Sequence, residues 1–376
     1  MLTSAVSPAL LTLYDSQFGL RLRQLGQKKP DTFRLSVYYP RMVDKEQVAY
    51  TREPKHRFIE TNGIRMHVAE QGQGPLVLLC HGFPELWYSW RHQLSALAAA
   101  GFHAVAPDMR GYGQTDRPEC IDQYTLLHLV GDMVGLLDAL GHETAVIAGH
   151  DWGAPVAWHA ALLRPDRFRA VIGLSVPFIP RGPDYPSKSF PQTDDTVFYQ
   201  SYFQSPGVAE ADLERDVRFT TRTLLYHASG DGPNPAMKAE QAGHVFMVPR
   251  TGGMMANWAT PTSLPPWLTE TDVEVYVSQF ERTGYRGGLN WYRNMDRNWQ
   301  LLAPFAGLKI VVPALLIAGE RDLVLAFRGM DQVISNLSKN VPKLQTTLIL
   351  PGCGHWTQQE RPLEVNEAII EFLQRL

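Results

Sequence analysis

The 376-residue chain is poor in cysteine and carries no marked excess of charge of either sign. Its three cysteines, Cys80, Cys120 and Cys353, are odd in number and far apart, which argues against a disulfide framework and suits reduced thiols in a cytoplasm. No Cys/His spacing of a zinc site and no His-Glu-x-x-His is present, so neither a metal nor another cofactor is expected. Lysine and arginine together number 35 against 38 aspartates and glutamates, a net charge of −3, and the basic residues are scattered. That distribution offers nucleic acid no electrostatic footprint and points to a neutral substrate or partner. Long apolar runs are missing too. Leu76–Cys80 and Ile310–Ala318 fall far short of the about 20 residues that a membrane-spanning helix requires, and they read as buried strands. The N-terminal stretch has no basic residue ahead of its apolar part and is interrupted by Pro8, so it reads poorly as a signal peptide. Leu11, Tyr14, Phe18, Leu22 and Leu25 nonetheless lie at helical spacing, which fits a helix packed on the domain surface or a loosely attached extension.

What is present is the patterning of a large soluble core. With 44% hydrophobic and 19% charged residues, the chain can bury one extended core and still carry an inserted domain. "RFIETNGIRMHVAEQG" predicts an antiparallel hairpin turning at Asn62-Gly63. Buried-strand runs follow at Leu76–Cys80, His103–Ala106, Ala145–Ala148, Ala170–Leu174, Ala314–Ala318 and Thr347–Leu350. Helical patterns separate several of them, at Trp90–Ala100, Leu126–Leu140, Ala154–Leu163 and Leu363–Leu376. This alternation predicts an α/β fold with a mostly parallel sheet flanked by helices on both faces. It fails between about 180 and 305, where proline-rich loops border helical patterns rich in tyrosine and tryptophan. The expected organisation is an N-terminal extension over residues 1–50 with no assigned role, a core formed by 51–180 and 306–376, and an all-helical cap inserted over 181–305.

"VIAGHDWGAPVAW" (146–158) joins a predicted strand to a predicted helix, with the glycine spacing of a nucleophile elbow, Gly-x-Ser-x-Gly. Asp151 occupies the centre in place of serine. A serine hydroxyl there needs a neighbouring base. A carboxylate, with a reference pKa of about 3.9, is already anionic at neutral pH and is favoured further by the N-terminal dipole of the helix that follows. Attack by a carboxylate on an ester carbonyl gains little, since it gives an anhydride. Attack on a saturated carbon bearing a leaving group gives an ordinary alkyl ester, which narrows the substrates to epoxides, alkyl halides and similar electrophiles. That ester must then be hydrolysed, and a histidine is needed to activate water against the former Asp151 carboxyl carbon.

"LPGCGHW" ends the last apolar strand with His355 in a glycine-flanked turn, and "ALLIAGERDLVL" places Asp322 just beyond the strand before it. Either Asp322 or the nearby Glu320 could serve merely as a surface or helix-capping carboxylate, and Asp322 is the preferred acid. The order nucleophile, acid, histidine is that of Asp151, Asp322 and His355. Water attack places an oxyanion on Asp151 itself, so donors should surround that side chain. The backbone N–H of Trp152 follows from the elbow, and a second donor is the N–H of Phe83 in "CHGFPELWYSW", a stretch that by itself reads as a tight proline turn.

Together these residues resemble the epoxide hydrolases of the α/β-hydrolase fold, soluble type, over about residues 56–376. The resemblance rests on "HGFPELWYSW", "DMRGYGQTDRP", "GHDWGA", "FYQSYFQSPGVAE", "GYRGGLNWYRNMDRNW" and "GCGHW". It implies a cis peptide bond before Pro84, with the Phe83 N–H in the oxyanion hole, and it matches two proton-donating cap tyrosines to Tyr199 and Tyr292. Tyr202 is the nearest competitor of Tyr199. The N-terminal phosphatase domain of mammalian relatives has no room in about 50 residues. The implied partners are a small apolar epoxide and water, with no nucleic acid and no transmembrane segment, in a cytoplasmic enzyme for which a homodimer is left open. Haloalkane and haloacid dehalogenases share the aspartate nucleophile. Many haloalkane enzymes, however, carry an Asn where Phe83 stands or a second cap tryptophan, and others need an acid near Ser175-Val176-Pro177. Fluoroacetate dehalogenases have an arginine where Trp152 stands. A non-catalytic hydrolase-fold receptor would be favoured by a missing member of the Asp151, Asp322, His355 set, and none is missing.

Overall fold

Alternation of side chains about a buried sheet sets the architecture. The computed structural model describes residues 35–37, 53–233, 246–256 and 258–376, and the helical pattern expected between Leu11 and Leu25 lies outside them. The strands are β1 (Leu35–Val37), β2 (Lys55–Thr61), β3 (Ile64–Gln71), β4 (Leu76–Cys80), β5 (His103–Pro107), β6 (Ala145–His150), β7 (Phe168–Leu174), β8 (Thr196–Phe198), β9 (Met247–Pro249), β10 (Ala314–Gly319) and β11 (Leu344–Leu350). Nine of them form one sheet in the order β1-β11-β10-β7-β6-β4-β5-β3-β2. Within this sheet the antiparallel pairings are β2–β3 and β3–β5, and the turn between β2 and β3 places Asn62 and Gly63 at φ 45° and 76°, the left-handed pair that a two-residue hairpin favours.

The central strands are apolar along their whole length because both faces are covered. Leu76, Leu78 and Ile147 pack with helices α2 (Leu126–Ala139) and α3 (Gly153–Leu163), through Met133, Leu136, Val156 and Ala160. Val77, Leu79, Val146 and Ala148 face the other way, onto Leu94 and Leu97 of α1 (Arg91–Ala99) and onto Val365, Ile369 and Phe372 of the C-terminal helix Pro362–Gln374. The Thr125 hydroxyl caps the start of α2 by accepting from the His128 N–H. Among the described residues no helix is long and apolar enough to cross a membrane.

Between β7 and β10 the chain leaves the sheet and forms helices at Val217–His227, Glu270–Thr283, Arg286–Arg293 and Met295–Leu301. This stretch is not wholly helical as expected, since β8 and β9 pair antiparallel within it. Each partner is a three-residue run, and no turn signal links them across the long intervening segment, so sequence periodicity had nothing to register. Trp291 seats the insertion on the sheet by donating its indole N–H to the Arg110 carbonyl at 3.1 Å.

The topology also chooses where a ligand can bind. Strand β4 pairs with β5 on one side and β6 on the other, so the chain reverses direction across the sheet there. In open α/β sheets, the crevice at the carboxyl ends of such strands is the place for a site. Phe83 follows β4 and Asp151 follows β6.

Candidate active site

The elbow is set by crowding. Asp151 sits at φ 49°, a left-handed conformation rare for a side-chain-bearing residue. A Cβ at Gly149 would overlap the Gly153 carbonyl, and one at Gly153 would overlap the Cys80 carbonyl of β4, so both flanking positions must be glycine. The sharp turn presents the Asp151 carboxylate at the carboxyl edge of the sheet, at the start of α3.

Three elements bring partners to it. The Phe83 N–H, next to the cis Phe83-Pro84 bond, donates to Asp151 Oδ1 at 2.7 Å. A methyl group at Gly82 would run into both Asp151 Oδ1 and the Trp152 nitrogen, so the two expected oxyanion donors flank one small space. His355 Nε2 lies 3.4 Å from Asp151 Oδ2, and its Nδ1 lies 3.0 Å from Asp322 Oδ1. Asp322 is 2% exposed and also accepts the Val324 N–H at 3.0 Å. Glu320 points elsewhere and accepts the Gly352 N–H, so of the two carboxylates it is Asp322 that contacts His355.

Both tyrosines come from the insertion. Tyr199 begins the short helix after β8, and its N–H donates to the Phe246 carbonyl at 3.0 Å. Tyr292 lies in the helix Arg286–Arg293 and packs edge-on against Phe83 and Trp152, with ring centroids 5.6 and 5.2 Å away. The two phenol rings are 5.9 Å apart. The Gln200 amide donates to the Tyr199 oxygen at 2.9 Å, leaving the phenolic proton to be given elsewhere. Tyr202 donates to Asp212 and is committed there. Asp151, His355, Tyr199 and Tyr292 line a single cavity whose other walls are apolar, among them Phe203, Phe246, Phe327, Leu323 and Trp356.

Burial acts on these groups in opposite ways. It works to raise the Asp151 pKa, but the His355 hydrogen bond and charge, the charge of His150 and the Phe83 N–H together hold that carboxyl below the usual range. Burial works against the His355 cation as well, yet Asp322 and Asp151 outweigh it and lift the imidazole well above its ordinary value. For Tyr199 and Tyr292, burial and the Asp151 charge act in the same direction and push both phenols up. The site therefore sets an anion opposite two firmly protonated donors. Among the described residues no three His, Cys, Asp or Glu side chains gather as metal ligands would.

The contacts of three residues were not anticipated from sequence. Ser175, buried at the end of β7 with φ 69°, places its hydroxyl 3.1 Å from His355 Nδ1. His150, one residue before Asp151, bonds through Nδ1 to Glu85 Oε2 and through Nε2 to the His355 carbonyl, each at 2.7 Å. Glu85 also accepts the Gly82 N–H and the Gln358 amide, so one buried carboxylate ties together the turn after β4, the elbow and the histidine loop. His150 ends the apolar strand β6, and Glu85 stands in the turn that follows β4. That was the available signal, but the partner of each is distant in sequence.

Comparison with known proteins places the chain in a family. Residues 75–362 match the α/β-hydrolase fold family. The chain is 45% identical to Epoxide hydrolase A of Mycobacterium tuberculosis over 323 residues, covering 85% of this chain and 97% of that protein. Bifunctional epoxide hydrolase 2 of Mus musculus is 42% identical over 312 residues, covering 83% of this chain and 54% of the mouse protein. Among solved structures, an epoxide hydrolase from an endophytic Streptomyces superposes with a TM-score of 0.81 at 46% identity, covering 86% of this chain and 96% of that one.

Proposed function

The chain belongs to the epoxide hydrolases of the α/β-hydrolase fold, and from that membership we propose that it converts a small apolar epoxide to a vicinal diol through a covalent ester on Asp151. One observation carries this reading: the Asp151 carboxylate is held by the Phe83 N–H on one oxygen and faces His355 on the other, in a cavity it shares with two protonated tyrosines.

Because Oδ1 is occupied by the Phe83 N–H, Oδ2 is the attacking oxygen. It forms a bond to an epoxide carbon as the ring C–O bond breaks. The oxygen that leaves takes a proton from Tyr199 or Tyr292, a general-acid contribution of about 10²–10⁴ in rate. The product is a neutral ester whose carbonyl oxygen is Oδ1. In the second step His355, oriented by Asp322, removes a proton from water as the water oxygen attacks Cγ of Asp151. The negative charge that develops on Oδ1 is met by the Phe83 and Trp152 N–H groups. Collapse breaks the Cγ–Oδ2 bond, and the departing alcohol takes its proton from His355. Oδ2 leaves in the diol, the water oxygen remains on Asp151, and the second proton of the water passes to the tyrosinate left by the first step, which restores the Asp151 carboxylate and the neutral phenol.

The apolar walls favour aryl or lipid epoxides over charged ones. Residues 181–305 act as the cap that supplies the tyrosines, over a core of 51–180 and 306–376. The free thiols of Cys80, Cys120 and Cys353 fit a cytoplasmic enzyme. The reading is tested with His355→Gln and an aryl epoxide. Intact-mass measurement should show the enzyme gaining the mass of one epoxide and retaining it, with the adduct on the Asp151 peptide. Normal turnover by this variant, or halide release from haloalkanes without epoxide opening, would contradict it.

A further inference from the structure

Glu360 is a buried carboxylate that the reaction above does not use. It ends the short helix Thr357–Glu360, just beyond His355, and is 6% exposed. Its Oε2 accepts the Gly354 N–H at 2.8 Å and the Gly230 N–H at 2.9 Å, while Oε1 accepts the Trp356 N–H at 2.9 Å. Gly354 and Trp356 are the two residues on either side of His355. Gly230 belongs to the segment that leaves the insertion helix Val217–His227, and in that same segment the Ala228 carbonyl accepts the His355 N–H at 2.9 Å. Packing leaves no slack. A Cβ on Gly354 would overlap the Gly230 nitrogen, and one on Gly319 would overlap the Gly354 carbonyl. Among the described residues, the three N–H groups have no other acceptor, and a buried N–H left unpaired is costly.

We propose that Glu360 is a positioning residue for the hydrolytic base: it clamps the backbone on both sides of His355 to the end of the insertion helix, and its loss slows breakdown of the Asp151 ester while sparing ester formation. The inference rests on the reading of His355 as the base that activates water. It follows from what each step requires. Attack by Asp151 needs an ionised carboxylate and the tyrosines; Glu360 touches none of them, and a small displacement of His355 leaves its charge nearby and the Phe83 N–H in place to keep that carboxylate ionised. Hydrolysis needs Nε2 aimed at a water beside Cγ while Nδ1 stays on Asp322, and small displacements of a reacting group cost rate steeply. Glutamine at 360 keeps the volume of glutamate but turns one acceptor oxygen into a donor that confronts a backbone N–H.

The test is rapid-quench single turnover of an aryl epoxide by the full-length Glu360→Gln protein. Ester decay should slow by about 10- to 100-fold while ester formation stays within about twofold. In the steady state kcat and KM should then fall together at constant kcat/KM, because the ester accumulates. General loosening of the fold would not produce that split. If Glu360→Gln does not fold, Glu360→Asp, which keeps the charge and shortens the reach, is read in the same way. Decay at the wild-type rate, or equal slowing of both steps, overturns the inference. His355→Gln in the same assay separates the two failures. If it accumulates ester while the Glu360 variants decay normally, only the clamp is wrong; if it accumulates none, the covalent route itself has failed.

Discussion

At the carboxyl edge of the sheet, Asp322 and His355 are buried and Asp151 is partly buried, and all three are held largely by partners the strands fix in place: the Phe83 N–H, the Val324 N–H and one another. In the insertion, Tyr199 and Tyr292 are held mainly by other rings, among them Phe203 and Phe83. The difference teaches how one apolar cavity supports two kinds of chemistry. A desolvated carboxylate stays ionised only where donors and a cation oppose its desolvation, so the proposed nucleophile belongs where backbone geometry is rigid. A buried phenol needs no such support to stay protonated, and the Asp151 anion nearby strengthens its hold on the proton. Burial thus keeps the phenols protonated, whereas the Asp151 carboxylate stays ionised against burial, through His355 and the Phe83 N–H.

Removing the insertion's half of this division should have the largest effect. Tyr199→Phe combined with Tyr292→Phe leaves the apolar walls intact and should slow single-turnover ester formation by about 10²–10⁴-fold. Unchanged alkylation would mean that the sheet edge works alone. A pH comparison sharpens the contrast. Because both phenols are pushed above the ordinary tyrosine value of about 10, the alkylation rate should hold through that pH, and a loss centred near it would contradict their protonation. On the sheet side, part of the upward shift of His355 comes from the Asp151 charge. Asp151→Asn should therefore move the His355 titration, followed by NMR, to lower pH, as the neutral ester does when it frees the base; an unmoved titration would contradict that coupling. The smallest effect is expected at Ser175. Ser175→Ala removes one hydrogen-bonding group from His355 Nδ1 and should slow ester hydrolysis by about 3- to 10-fold, with ester formation unaffected.

The same contrast explains what could be read in the sequence. The sheet side was legible because each of its site residues follows an apolar strand, and strand ends of a parallel sheet share one edge. The strand pattern and the elbow spacing singled out Asp151 and His355 as candidates, and narrowed the acid to Asp322 or Glu320, which both follow β10. The insertion side was not legible in that way. Tyr199 and Tyr202 are both aromatic, close in sequence and near helix ends, and only the three-dimensional partners, Gln200 for one and Asp212 for the other, separate them. Resemblance to a family supplied that choice, where periodicity could not. The β8/β9 pair, the Glu85–His150 bridge and the Ser175 contact depend on residues far apart in the chain, and no local pattern announces them.

The central claim is that the oxygen delivered to the substrate comes first from Asp151. One turnover of an aryl epoxide in oxygen-18 water, with enzyme in excess, followed by mass spectrometry of the diol and of the Asp151 peptide, tests it most directly. The covalent route predicts an unlabelled diol and one oxygen-18 on Asp151. A labelled diol with an unlabelled Asp151 peptide would contradict it.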